Sequence, residues 1–304
     1  MFKAPSAETC AAGLFSASLF LATVYFGLGL IFLFIPTLPL FHIGLRHPNL
    51  FPALLASFIV YLIGGSQLAL VFFFVFALPT HYICRHALRY ESDEIGQATY
   101  WYPMGRILSN LALYSCLFMV IITAYYLARG MPIHELLSER LGTAIAELRK
   151  DLDMPIQPFS AKLVFLIFSI TAWFWVLFLY GSAWVSHKLL ASKHRNVRPL
   201  MSIELFVMPA WMLQPILICG LASLIGSPTM QFLGNACLLT LMLPYFFLGV
   251  AVMHETSKSW PSRRFFLFFV YFIMITQFFP VMILSGIGLW HHIKRLSAGA
   301  SSSI

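Results

Sequence analysis

The chain has 304 residues and a mass of 34.4 kDa; 60% of its residues are apolar, 16% aromatic and only 10% charged. A soluble domain carries about 25% charged residues, so this composition, with a mean hydropathy of +0.84, excludes a soluble enzyme, a disordered chain and a secreted disulfide scaffold. What is left is a polytopic membrane protein, whose net charge of +8 sits in short loops that read as faces toward anionic lipid heads, not toward nucleic acid.

The N-terminus does not read as a cleavable signal peptide. Lys3 is its one basic residue, and the apolar run Ala11–Ile35 is longer than the roughly 7–15 residues of a signal core. That run predicts the first transmembrane helix. Pro36-Thr-Leu-Pro-Leu-Phe41 follows, where two prolines so close together argue against a regular helix. The segment is nevertheless apolar, so it is expected at the membrane surface or dipping back into the protein.

Pro52–Ile63 and Gln67–Leu78 predict a second and third span joined at Gly64-Gly65-Ser66, with one long helix kinked at the glycines as the alternative. Ile107–Leu127, Leu163–Val185, Phe206–Ile225, Phe232–Met253 and Phe265–Leu289 follow. The expected fold is therefore all-α: a polytopic transmembrane helix bundle of about eight spans in a single domain over residues 1–296. The small-residue tail, 297–304, is expected to be disordered.

Between the fourth and fifth spans, Ile133, Leu137, Leu141, Ile145, Leu148 and Leu152 recur at helical spacing. This predicts an interfacial amphipathic helix, lying on the membrane or against the bundle. Its polar face is more acidic than basic, which argues against an anionic-lipid anchor.

Counting Lys and Arg over about eight crossings puts eleven on the side of the odd-numbered loops and eight on the other. The positive-inside rule then makes the odd loops cytoplasmic and leaves the N-terminus outside. The basic cluster His291-His-Ile-Lys-Arg295 pulls the other way.

The middles of the long spans hold no charge, so proton relays of paired carboxylates and voltage-sensing arginines find no support. His254-Glu255 begins a zinc-protease motif, but Lys258 stands where its second His belongs. No cysteine pair has C-x-x-C spacing among Cys10, Cys84, Cys116, Cys219 and Cys237, so no metal site is expected. Asn235 reads as a hydrogen-bonding partner for a neighbouring helix. Near a span end, Tyr100-Trp101-Tyr102-Pro-Met-Gly-Arg106, with Asn110 one turn deeper, has two readings. One is the rim of a ligand pocket, with rings for stacking and a guanidinium for an anion. The other is an interfacial aromatic belt with a snorkelling arginine.

Taken in order, six motifs resemble the YybS-like predicted membrane proteins, a bacterial family of unknown function. They are Pro36–Phe41, Gly64-Gly65, Leu78-Pro79, Trp101–Arg106, Phe206-Val-Met-Pro-Ala-Trp211 and Gly249-Val-Ala-Val-Met-His254. That family is similar, in its N-terminal half, to the substrate-binding S components of energy-coupling-factor vitamin transporters. In those, the proline-rich loop after the first helix helps to close over the ligand, and the N-terminus is cytoplasmic. The resemblance implies a multi-pass protein of the bacterial inner membrane; the residues themselves show no nucleophile–base pair and no metal-ligand spacing, so neither enzymatic activity nor a cofactor is expected. By the same resemblance, it would bind a small molecule for an uptake system energised by partner subunits. Ligand contacts would fall on Pro36, Pro39 and Phe41, and on the rim of Trp101, Tyr102, Arg106 and Asn110. The competing expectation is a membrane scaffold or assembly factor without transport activity, favoured by the absence of intramembrane charge.

Overall fold

The computed structural model describes residues 6–27, 34–92, 99–150, 164–192, 206–277 and 279–301. Five helical runs are long and apolar enough to cross a membrane: Ala7–Tyr25, Phe51–Ala87, Met104–Ala128, Val164–Ser192 and Pro228–Ser259. A bent pair, Arg263–Thr276 with Phe279–Ala298, makes a sixth if taken as one. The chain is thus a helical bundle of membrane type, in which each helix satisfies its own backbone where water is scarce. The chain divides into two compact units: Met1–Ile107 with Trp175–Leu205, and Leu108–Phe174 with Phe206–Ile304.

The first unit is built on α1 (Ala7–Tyr25), whose N-cap Ser6 accepts a hydrogen bond from the Thr9 amide. The expected first span does not run to Ile35. The helix ends at Tyr25, and Gly27 turns the chain at φ 61°, a left-handed geometry that suits a residue without Cβ. The chain then returns along α1. Ser16 donates to the Pro36 carbonyl at 2.6 Å, and Arg46 reaches Glu8 at 2.6 Å. The proline-rich stretch is helical after all, as α2 (Thr37–Gly44) with Pro36 as N-cap. Pro39 falls in the first turn, where no backbone N–H has an intrahelical partner to lose.

Helix α3 (Phe51–Val71), a π-helical turn (Phe72–Ala77) and α4 (Leu78–Ala87) follow without interruption, except that Gly65 has φ 81° and ψ 177°. This run cannot be straight. A straight helix from Phe51 to Cys84 would measure about 50 Å. Yet a Cβ placed on Gly44 would lie 2.7 Å from Cys84 Sγ, and the seven Cα steps from Gly44 to Phe51 span at most about 27 Å. The run folds back at Gly65 into two arms, residues 51–64 and 66–87. Ala53, Ala56 and Val60 of the first share a core with Ala69, Phe72 and Phe76 of the second and with Phe20 of α1. The Phe20 ring sits 4.9 Å from that of Phe72 and 5.7 Å from that of Phe76.

One end of this unit therefore carries Glu8, Arg46 and the last turn of α4, and the other carries Tyr25, which donates to the Ile63 carbonyl. Beyond α4, β1 (Tyr90–Ser92) and β2 (Thr99–Trp101) pair antiparallel, a hairpin the sequence reading did not anticipate. The C-terminal part of α7 (Val164–Ser192) completes the unit. Phe178 stacks on Phe34 at 4.5 Å, and Trp175 Nε1 donates to the Val75 carbonyl at 2.9 Å. Pro79, four residues after Val75, has no N–H to offer that carbonyl.

The second unit is centred on α9 (Pro228–Thr256), capped by Ser227. Its Ala236, Cys237, Leu241, Tyr245 and Leu248 pack with Ala112 and Cys116 of α5 (Met104–Ala128) and with Met208 and Met212. Along α9, three carbonyls receive side-chain donors: Ser169 at Ala236, Cys116 at Cys237 and Trp173 at Leu239. The expected span Phe206–Ile225 opens with extended residues through Pro209, and α8 (Leu213–Ile225) follows a short 3-10 turn. Ser223 on α8 donates to Asn235 Oδ1 on α9 at 2.6 Å.

Helix α6 (Ile133–Lys150) begins with Ile133 buried among Val164, Phe232 and the half-buried Leu137. The side chains of Leu141 and Leu148, and all of Leu152, lie outside the described residues. The expected span Phe265–Leu289 is broken. Helices α10 (Arg263–Thr276) and α11 (Phe279–Ser301) meet at 118°. Gln277 is extended, and Pro280 has no N–H for the carbonyl of Thr276. Helix α11 also includes residues 297–301 of the tail expected to be disordered, and residues 302–304 lie outside the described ones.

Candidate functional site: a groove beside the proline helix

Within the first unit, α1, α2 and the end of α7 enclose a groove of about 570 Å³, within the range of small-molecule sites. Its walls are apolar: Ala11, Ala12 and Phe15 of α1, Leu38, Pro39 and Ile43 of α2, and Leu189 of α7. Its polar lining is Glu8, His42, Arg46 and Ser186, of which Arg46 and Glu8 pair. Ser186 also donates to the Leu38 carbonyl at 3.4 Å.

The Arg46–Glu8 pair is asymmetric. Arg46 is 21% exposed and Glu8 63%. An exposed pair of this kind contributes about 0–1 kcal/mol to stability, so its worth lies in placing a guanidinium at the mouth of an apolar groove. A carboxylate or phosphate arriving there can exchange with Glu8 for the bidentate donor face of Arg46. Such a site suits an amphiphile, with an anionic head at Arg46 and an apolar body along Phe15 and Leu38.

The residues expected from sequence divide. Pro39 lines the groove. Pro36 caps α2, and its carbonyl is held by Ser16. Phe41 is fully buried in the core, so it supports α2 from behind. Trp101 and Tyr102 do not line the groove. They belong to a ring cluster on the loop after α4, where Trp101 lies 5.3 Å from Tyr90 and Tyr102 lies 5.0 Å from His86. That cluster and α2 occupy the same end of the unit, since α4 runs up to Gly44. Arg106 is exposed on the first turn of α5, and Asn110 falls in the second unit.

Glu8, His42, Arg46 and Ser186 were missed as a set. The available signal was scarcity: from residue 4 to residue 84, Glu8 and Arg46 are the only Asp, Glu, Lys or Arg. Two opposite charges in so apolar a stretch invite pairing.

The second unit holds a different polar feature. The hydroxyl of Tyr245 and Nδ1 of His292 share a hydrogen bond at 3.0 Å; Tyr245 is 0% and His292 3% exposed. Nε2 of His292 has no hydrogen-bond partner among the described residues. The pair is pressed together by a glycine crossing. A Cβ on Gly249 would collide with the Leu284 carbonyl, and one on Gly288 with the carbonyl of Tyr245. Small residues at such a contact let helix backbones approach closely in an apolar setting. His254, which opens the incomplete zinc motif, bonds Tyr271 at 2.6 Å, and Glu255 pairs with Lys258 at 2.7 Å. Among the described residues, no three His, Cys, Asp or Glu side chains converge as a metal site.

Comparison of the chain with protein-family models, with curated proteins and with solved structures finds no match.

Proposed function

We propose that this chain is a multi-pass membrane protein that binds a small amphiphilic molecule with an anionic head, as the substrate-binding subunit of an uptake system. The observation that carries the reading is the apolar groove of about 570 Å³ with the Arg46–Glu8 pair at its mouth. Energy would come from partner subunits, since the sequence has no nucleotide-binding motif. The membrane would be the bacterial inner membrane, as the YybS-like resemblance implies.

About eight passes fit this reading: α1, the two arms about Gly65, α5, α7, the Ala210–Ile225 segment, α9 and α11. The return segment through α2 adds a re-entrant traverse, of the kind tolerated where backbone is shielded by protein. Counting it moves the N-terminal lysine to the side of Arg46, and the sequence tally of basic residues becomes twelve against seven. The charge rule and the S-component analogy then agree on a cytoplasmic N-terminus.

The scaffold reading keeps one observation in its favour: among the described residues, no Trp or Tyr lines the groove. The deciding experiment is mass spectrometry of small molecules co-purifying with the protein in mild detergent, for wild type and for Arg46→Gln. A ligand present in wild type and depleted about tenfold in the variant supports the subunit reading. A ligand-free wild type, or a ligand retained equally by both, moves the scaffold reading ahead.

A further inference from the structure

Helix α10 has no buried residue. Phe265, Phe268, Phe269, Phe272 and Ile275 are all more than half exposed, and their spacing of three and four puts them on one stripe. At 14 residues the helix is about 21 Å long. Its first turn and its middle are both tied to the C-terminal end of α9. Trp260, just past α9, packs on Phe266 at 4.9 Å, and Tyr271 bonds His254 at 2.6 Å. It therefore lies across the end of the α9–α11 pair instead of crossing with it.

At its start, Trp260, Arg263, Arg264 and Phe265 line a crevice of about 610 Å³. Neither arginine forms an ion pair among the described residues, and the Nε of Arg263 is buried with no hydrogen-bond partner. The nearby Lys258 is already neutralised by Glu255, and α10 itself contains no acidic residue. Two uncompensated guanidinium groups, a tryptophan of the interfacial type and an adjoining phenylalanine stripe form one amphipathic surface.

We infer that this surface is a binding site for an anionic phospholipid of the surrounding bilayer. The phosphate sits between Arg263 and Arg264 at the amino end of α10, and the acyl chains lie along Phe265, Phe268 and Phe272. Charge complementarity selects the head, because a zwitterionic lipid brings its own cation to a crevice that already holds two. The stripe selects a lipid over a soluble phosphate, because only a lipid covers the exposed rings.

The test uses the full chain in dodecyl maltoside, titrated with dioleoylphosphatidylglycerol or dioleoylphosphatidylcholine and read by native mass spectrometry. Wild type is expected to retain one phosphatidylglycerol at concentrations where phosphatidylcholine is lost. Arg263→Gln with Arg264→Gln should weaken that adduct about thirtyfold, since each basic contact near a lipid surface is worth about 1 kcal/mol and 1.4 kcal/mol is about tenfold. Arg263→Lys with Arg264→Lys should keep most of it. Should the double Gln variant not fold, Arg264→Gln alone, at an exposed position, should weaken the adduct about fivefold. Equal retention of both lipids, or an adduct indifferent to the Gln substitutions, overturns the proposal. Displacement of phosphatidylglycerol by millimolar inorganic phosphate also overturns it, because the site would then take a free anion.

Discussion

The Tyr245–His292 pair allows a quantitative test of how the second unit is held together. Tyr245→Phe removes one oxygen from a fully buried ring and preserves its shape. His292, 3% exposed, then has no partner at either ring nitrogen, since its Nε2 already lacks one. In a water-soluble core such an orphan costs about 1–3 kcal/mol. Between membrane helices the average coupling is about 0.6 and the maximum about 1.7 kcal/mol, because the unfolded chain in lipid also finds partners. With both side chains buried, the upper part of that membrane range is expected, about 1–1.7 kcal/mol. His292→Leu should cost a similar amount by orphaning the tyrosine hydroxyl. The double variant should cost much less than the two singles together, because no buried polar group is left. Reversible unfolding by SDS titration in mixed micelles gives all four corners of the cycle. Additivity within about 0.3 kcal/mol would refute the reasoning and reduce the hydrogen bond to a geometric coincidence.

Three further outcomes are expected. Gly249→Ala should destabilise the protein by more than about 3 kcal/mol, because its Cβ meets the Leu284 backbone, whereas Gly286→Ala, with open space around it, should be tolerated; thermal unfolding in detergent separates the two. Gly65→Ala should cost about 1–3 kcal/mol, since φ 81° with ψ 177° lies in a region open only to glycine; Gly142→Ala, within α6 and facing open space, should instead gain up to about 1 kcal/mol. In a cysteine-free background, Ala7→Cys and His47→Cys should be labelled from one side of sealed vesicles and Ser66→Cys from the other; labelling of Ala7→Cys and His47→Cys from opposite sides would rule out the return of the chain through α2.

Much of the fold was legible in the amino-acid order alone, wherever the controlling physics is local. Long apolar runs without charge must be helical in a medium that offers no hydrogen bonds, so α5, α7 and α9 were readable directly. The glycine pair at 64–65 marked the reversal between two arms because only glycine adopts Gly65's backbone geometry. Local rules misjudged Pro36–Phe41, since two prolines disfavour a helix interior but leave its first turn intact.

Tertiary structure decided whatever depends on direction and partner. In the run 11–35, Gly27 permits the turn that ends α1, but nothing local fixes the direction the chain then takes, because an apolar residue suits the outward and the return path equally well. The return alone brings Arg46 to Glu8, 38 positions away in sequence, and so creates the groove. In the second unit, Tyr245 and His292 are 47 positions apart and meet because Gly249 and Gly288 admit a close crossing. Composition and periodicity state which side chains avoid water. They do not state which helix each one meets, because packing between equally apolar surfaces is settled by shape, by small residues and by the few polar groups that need a partner.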